Sequence, residues 1–154
     1  MALPSATLSA RIAAVCSLLL LLRAALADLR TMRLPNWLIG SAVVCAALAN
    51  VLAGTTNTML IAAGFGAAPF LLIHLIDPKS LGFGDVKFAA AAGLLVATWW
   101  WPAALAMSVA TLIVVCLVRH GRPRGALPMG PALFVGTCLA VGLSIVLAQK
   151  GLIL

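Results

Sequence analysis

The chain has 154 residues, of which 64% are hydrophobic and 8% are charged, and its mean hydropathy is +1.20. Soluble domains are about 45–50% apolar and about 25% charged, so this composition excludes a soluble domain and indicates an integral membrane protein. The net charge of +7 comes from basic residues that border apolar stretches, so it does not indicate a nucleic-acid partner.

Six apolar stretches follow one another along the chain, separated by turn sequences such as Leu34-Pro35-Asn36. The stretches are continuous and not alternating, which favours helices over a β-barrel, and about 20 residues suffice for one span. The sequence therefore predicts an all-α membrane protein, with a single transmembrane domain over residues 1–154. Its six transmembrane helices are predicted at 8–27, 37–53, 58–76, 86–100, 102–118 and 129–148.

The basic residues predict the orientation of these helices. Most of them border the first, third and fifth loops, and only Arg11 and Lys150 lie at the opposite ends of the predicted helices. Because basic loops stay in the cytoplasm, the first, third and fifth loops are predicted to be cytoplasmic and both termini to face outward. The residues on the cytoplasmic side are Arg23, Arg30, Arg33, Lys79, Lys87, Arg119, Arg122 and Arg124.

The first apolar stretch has an alternative interpretation. Arg11, an apolar run and a following Ala-Leu-Ala sequence resemble a cleavable signal peptide, whose removal would make Asp28 the first residue. Arg23 interrupts the expected cleavage region, and two further arginines follow it. We therefore favour a retained helix, although the sequence does not decide whether residues 1–27 are kept.

The chain contains only three acidic residues, and two of them lie where predicted spans end or begin. Asp28 follows the first apolar stretch, and Asp85 ends the motif Gly82-Phe83-Gly84-Asp85 before the fourth. Asp85 could simply cap the next helix through its carboxylate, and Asp28 could be solvated or paired with a nearby arginine. Ionisable groups near a bilayer are costly and usually functional, and both are predicted at one membrane face. Together they indicate aspartyl chemistry there.

Peptide hydrolysis by paired carboxylates needs one ionised acid, which activates water, and one protonated acid, which polarises the scissile carbonyl. Asp85 at a helix start is expected to be the ionised base, and Asp28 at a helix end is expected to hold the proton. Glycines beside Asp85 would let an extended substrate backbone approach.

Three separated motifs carry a resemblance to a known family. The Asp28…Pro35-Asn36 segment and the Gly82-x-Gly84-Asp85-Val86-Lys87 segment resemble the two active-site motifs of the prepilin peptidases. These enzymes form the type IV leader peptidase family of GxGD aspartic proteases. The sequence Pro128-Met129-Gly130-Pro131 is similar to a third element, which opens the last span of the family. The motifs occur in the same order in the chain and in the family.

The resemblance implies a six-helix aspartic endopeptidase of a bacterial inner membrane, with its active site facing the cytoplasm and without a metal or cofactor. It implies that prepilins are the substrates, cut after a glycine to release a short basic leader, and that the lipid bilayer surrounds the enzyme. Asp28 and Asp85 would be the catalytic pair. The residues implied in substrate binding are Gly82, Gly84, Lys87, Pro35, Asn36, Pro128, Gly130 and Pro131.

The chain also departs from the larger members of this family. They carry a methyltransferase-like insertion with paired CxxC motifs, whereas the four cysteines here are isolated in apolar segments. Neither a zinc site nor N-methylation is therefore expected. The short form resembles the dedicated peptidases of Flp/Tad pilus systems.

Other functions fit parts of the pattern. A small proton- or cation-coupled transporter is the main alternative, since intramembrane acids bind such ions. An enzyme-dead assembly protein and a presenilin-like protease are further alternatives. His74 and Asp77, three residues apart, could form an acid–base or metal pair, but we interpret them as an interfacial helix end.

Overall fold

The computed structural model describes residues 7–77, 81–99, 102–120 and 128–150, apart from the side chains of 114, 116–120 and 148. This part of the chain is helical throughout, and its connections are short, which confirms the predicted fold class. The helices are α1 (Leu8–Thr31), α2 (Asn36–Ala53), α3 (Thr56–Ile76), α4 (Phe83–Val96), α5 (Ala103–His120) and α6 (Gly130–Gln149).

Four of these helices, α1, α2, α3 and α6, are long and apolar enough to cross a membrane. Helix α5 contributes a shorter apolar segment, Ala103–Ile113, and α4 has 14 residues. The chain is thus a multi-pass membrane protein. That all six helices span, and that both termini face outward, remain predictions.

Two helix boundaries differ from the predicted ones in a way that matters for the acids. Helix α1 continues to Thr31 and ends at Met32, which has a positive φ of 52° and donates its N–H to the Asp28 carbonyl at 2.9 Å. Helix α4 begins at Phe83, earlier than predicted. Apolarity marks where a hydrophobic run stops, but backbone hydrogen bonding carries a helix on through polar residues. Both acids therefore lie inside helices.

Helices α3 and α4 approach each other through glycines. A Cβ atom on Gly66 would lie 2.7 Å from the carbonyl oxygen of Ala89, and one on Gly93 would overlap the carbonyl oxygen of Ala62. Small residues at these positions therefore let the two helix backbones pack closely. Gly64, in the same helix as Gly66, faces open space instead.

Buried polar side chains tie neighbouring helices together. Ser17 of α1 donates to the carbonyl of Ala42 in α2 at 2.9 Å, and Asn50 of α2 donates to that of Leu94 in α4 at 2.8 Å. Inter-helix hydrogen bonds of this kind add to van der Waals packing in membrane proteins. Helix α4 is thus held by α2 on one side and by α3 on the other.

Successive helices run in alternating directions, so the end of α1 and the starts of α2, α4 and α6 gather at one end of the bundle. The hydrogen bonds between Gly130 and Asp28 and between Lys87 and Asn36 show this directly. The described helix ends that border the first, third and fifth loops therefore share one end of the bundle. Of the basic residues assigned to that side, Lys79, Arg122, Arg124 and the side chain of Arg119 lie outside the described residues.

Candidate active site

Asp28 is a buried carboxylate in the last turn of α1, with only 5% of its surface exposed. It continues the buried stripe formed by Leu21, Ala24 and Ala25 at helical spacing. Its Oδ2 atom accepts the backbone N–H of Gly130 at 2.9 Å. Gly130 is the first residue of α6, and the first N–H groups of a helix have no partner within that helix. The start of α6 therefore binds the acid at the end of α1.

Gly130 leaves no room for a side chain at this contact. A Cβ atom there would lie 3.1 Å from both Cβ and Oδ2 of Asp28, and 3.2 Å from the Cα atom of Ala25. Pro131 follows, and in the first turn of a helix its missing N–H costs no internal hydrogen bond. The Pro-x-Gly-Pro sequence thus starts a helix whose first N–H is directed at Asp28.

Asp85 lies in the first turn of α4, behind the N-cap residue Gly82. Its N–H donates to the Gly82 carbonyl at 3.1 Å, and its carboxylate is hydrogen-bonded by the Gly82 backbone in return. The carboxylate supplies one half of a capping box, and glycine has no side chain to supply the other half. Asp85 is not the N-cap residue, because the helix begins at Phe83, but its carboxylate does cap the start of α4 as the sequence suggested.

The glycines of this motif let the start of α4 approach the connection between α1 and α2. A Cβ atom on Gly84 would lie 3.4 Å from the Cβ atom of Leu34. One on Gly82 would lie 3.4 Å from Oδ2 of Asp85. The motif therefore brings Asp85 close both to its own backbone and to the segment that follows Asp28.

One open cavity of about 400 Å³ lies between these elements, and both Asp28 and Asp85 line it. The two acids that the sequence pairs are thus brought to the same pocket. The other lining residues are Met32, Arg33, Leu34, Asn36, Gly82, Phe83, Gly84 and Lys87.

The remaining sequence-predicted residues divide into two groups. The residues that line the cavity are Gly82, Gly84, Lys87 and Asn36. Gly130 donates its N–H to Asp28. Pro35, Pro128 and Pro131 are not among the lining residues; Pro35 is the N-cap of α2.

Met32, Leu34 and Phe83 line the cavity although no sequence-based prediction named them as site residues, and Arg33 was assigned only to the cytoplasmic side. Their position within or between the two acidic motifs was the available signal.

Lys87 connects the two rims of the cavity. Its Nζ atom donates to Oδ1 of Asn36 at 3.3 Å, which joins the start of α2 to α4. The same atom lies 5.3 Å from the centre of the Phe83 ring, within the range of a cation–π contact. The lysine is thus placed along the wall of the pocket.

The electrostatics of the two acids differ. Burial, and next the charge of Asp28, raise the pKa of Asp85 from 3.8 to about 6, against an opposing hydrogen bond from the Gly82 backbone. Asp85 precedes the predicted fourth span, at the membrane face. The Asp28 carboxylate, by contrast, accepts the amide N–H of Gly130 at the start of α6.

Burial and the neighbouring charge of Asp28 therefore make Asp85 harder to ionise than a free aspartate. This runs against the sequence-based expectation that Asp85 is the ionised base, and which acid holds the proton stays a prediction. That expectation considered only the helices that carry the acids, whereas α6 supplies the N-terminus that faces Asp28.

The cavity offers no obvious metal site. In the described part of the chain, no three His, Cys, Asp or Glu side chains are grouped so that they could hold a metal ion. The cavity instead combines two carboxylates with the cationic side chains of Arg33 and Lys87.

Comparison with known proteins gives one family. The sequence model of the type IV leader peptidase family matches residues 14–118, which is more than half of the chain. The matched region contains Asp28, Asp85 and the cavity between them, whereas Gly130 lies outside it. No curated protein and no solved structure gave a match.

Proposed function

We propose, because the chain belongs to the type IV leader peptidase family, that its two-carboxylate pocket removes the leader peptide from prepilins. The cut would fall after a glycine, before the hydrophobic segment of the pilin, as the resemblance implies. Flp-type prepilins are the proposed substrates, because the chain lacks the cysteine-containing insertion of larger members.

The observation that supports this proposal most directly is the placement of Asp28 and Asp85 around one open cavity. Hydrolysis by two acids needs unequal protonation, and like charges at close range favour such a split. Here, burial raises the pKa of Asp85, and the Asp28 carboxylate accepts the Gly130 N–H. The two acids thus have different surroundings, which supports a pair that shares a single proton.

The proposed mechanism assigns one role to each acid. Ionised Asp28 takes a proton from water, whose oxygen attacks the scissile carbonyl carbon, while protonated Asp85 donates a hydrogen bond to the carbonyl oxygen. The tetrahedral intermediate then collapses, and the C–N bond breaks. The leaving amine receives the proton held by Asp28, which restores both acids to their starting states.

The location of the pocket belongs to the same proposal. We place it at the cytoplasmic face of a bacterial inner membrane, within a single transmembrane peptidase domain over residues 1–154. The basic residues of the first, third and fifth loops support this orientation. Both acids lie in terminal turns of helices, near a membrane face, whereas a proton- or cation-coupled transporter would place them near the midplane.

The test is co-expression of the chain with candidate prepilins from the same genome, scored by loss of the leader. Asp28→Asn and Asp85→Asn should each reduce cleavage by about 1,000-fold or more, since neither amide can exchange the proton. Asp77→Asn is the matched control, because Asp77 is the third acid of the chain and does not line the cavity. Full cleavage by either pocket variant at wild-type protein levels would contradict the mechanism.

A further inference from the structure

His74 lies in the last turn of α3, outside the cavity, and its ring faces the segment that leads into α4. Its Nδ1 atom is 2.8 Å from the carbonyl oxygen of Leu81, a residue with only 3% of its surface exposed. A carbonyl oxygen only accepts hydrogen bonds, so Nδ1 must carry the proton in this contact. The contact therefore defines the protonation state of one ring nitrogen.

The Leu81 carbonyl, which accepts this hydrogen bond, belongs to the same peptide unit that hydrogen-bonds Asp85. The Leu81 carbonyl and the Gly82 N–H are two ends of one peptide group, and no cis peptide occurs among the described residues. In a trans peptide the two groups point in opposite directions. One end therefore faces His74 while the other hydrogen-bonds the Asp85 carboxylate.

Hydrogen bonds in a chain polarise one another. A donor on the Leu81 carbonyl makes the Gly82 N–H a stronger donor, and it also holds the plane of the peptide in one orientation. Both effects act on the carboxylate of Asp85. The hydrogen bond from the Gly82 backbone already opposes the rise in the pKa of this carboxylate.

A second contact of His74 lies on the other side of Gly82. Its ring centre is 5.5 Å from that of Phe83, with the planes inclined by 49°. Phe83 lines the cavity and lies under the ammonium group of Lys87. His74 thus contacts the residues that flank Gly82 on both sides.

We propose that His74 is a positioning residue for the proposed reaction, which orients the Leu81–Gly82 peptide and through it the carboxylate of Asp85. This inference rests on the proposed function. If His74 only helped to end α3, its substitution would change stability alone. The test must therefore measure the pKa of Asp85 as well as cleavage.

Three substitutions of His74 separate these roles. His74→Leu removes the donor. His74→Asn places an amide nitrogen as many bonds from the backbone as Nδ1, so it can still donate to Leu81. His74→Gln places its amide one carbon farther out and is the matched control.

In a cleavage assay with the purified full chain and a prepilin, His74→Leu and His74→Gln should lower kcat by about tenfold, with KM changed by less than about twofold. His74→Asn should restore most of kcat. Thermal unfolding of each variant shows whether a loss of kcat follows a loss of the fold.

The second measurement needs no activity. The chain contains three aspartates and no glutamate, so a carbon-13 NMR titration of labelled aspartate carboxyls in detergent has three signals to assign. Asp85→Asn identifies the signal of Asp85, whose pKa is about 6 in the wild type. His74→Leu should raise this pKa, because a weaker Gly82 donor favours the ionised form less.

Among the described residues, the charged groups that share the cavity with Asp85 are Asp28, Arg33 and Lys87, and His74 lies behind the Leu81–Gly82 peptide. Only His74 changes among the three variants. Any positive charge on His74 is lost in the leucine and asparagine variants alike. Recovery of the Asp85 titration by His74→Asn therefore assigns the effect to the hydrogen bond.

Unchanged kcat and an unchanged Asp85 titration in a folded His74→Leu variant would overturn the inference, as would a failure of His74→Asn to restore either. Absence of cleavage by the wild-type chain would instead count against the proposed function. The titration of Asp85 would still decide the role of His74 in that case.

Discussion

At the scale of residues, the two acids of the pocket are distinguished by their neighbours more than by their position in the chain. Asp28 is 5% exposed but accepts an amide N–H from α6, so its burial comes with a partner for its charge. Asp85 is less deeply buried, and burial still dominates the rise in its pKa. Buried carboxylates are costly without such hydrogen bonds, so the two acids have different surroundings.

Gly130 is the residue on which the environment of Asp28 depends most directly. Gly130→Ala would place a Cβ atom 3.1 Å from Oδ2 of Asp28 and 3.2 Å from the backbone of Ala25, so the carboxylate or α6 must shift. We expect cleavage to fall by about 100-fold, because small displacements of catalytic groups have effects of this size. Initial rates of the purified variant on a prepilin measure the loss.

Gly142→Ala is the matched control for this prediction. Gly142 lies in the same helix, and a Cβ atom there would meet no atom within 4 Å. Its rate should equal that of the wild type. Equal rates for both glycine variants would show that the contact with Gly130 does not position Asp28.

At the scale of helices, α4 carries Asp85 but is short and depends on its neighbours. It has 14 residues, nine of which are buried. Asn50 of α2 donates to the Leu94 carbonyl, while α3 packs against it through Gly66 and Gly93. The position of Asp85 therefore depends on the spacing between α3 and α4.

Gly93→Ala tests this dependence. The new methyl group would overlap the carbonyl oxygen of Ala62, and helix backbones cannot yield as a side chain can. Overpacking of this kind costs about 1–3 kcal/mol, so we expect a lower unfolding temperature and reduced cleavage together. Thermal unfolding in detergent measures the first effect and a prepilin assay the second.

Gly64→Ala is the control for the same interface. It adds a methyl group to α3 where no atom lies within 4 Å, and alanine is the better helix former by up to about 1 kcal/mol. Its stability should match or exceed that of the wild type. Equal stability of the Gly93 and Gly64 variants would contradict close packing of α3 on α4.

At the scale of the whole molecule, the alternation of helix direction places the cavity at one end of the bundle, and the positive-inside rule predicts which end that is. Reporters fused after Arg33 and after Gly54 test the prediction. We expect fluorescence from a green fluorescent protein fused after Arg33 and activity from an alkaline phosphatase fused after Gly54. The reverse pattern would put the pocket on the opposite side of the inner membrane.

The class of the fold follows from the amino-acid sequence alone, because continuous apolar stretches leave the backbone no option in a bilayer except helices. The sequence also selected the acids that line the cavity, since a chain with only three carboxylates and a glycine motif beside one of them singles out few positions.

The neighbours of each acid became known only from the packed helices. Gly130 is far from Asp28 along the chain, yet its N–H binds the Asp28 carboxylate. The Leu81–Gly82 peptide likewise lies between His74 and Asp85 because of how the chain folds there. Such contacts depend on how helices pack, and apolarity along a sequence does not encode packing. Helix dipoles assigned from neighbouring residues alone therefore left out the contact between α6 and Asp28.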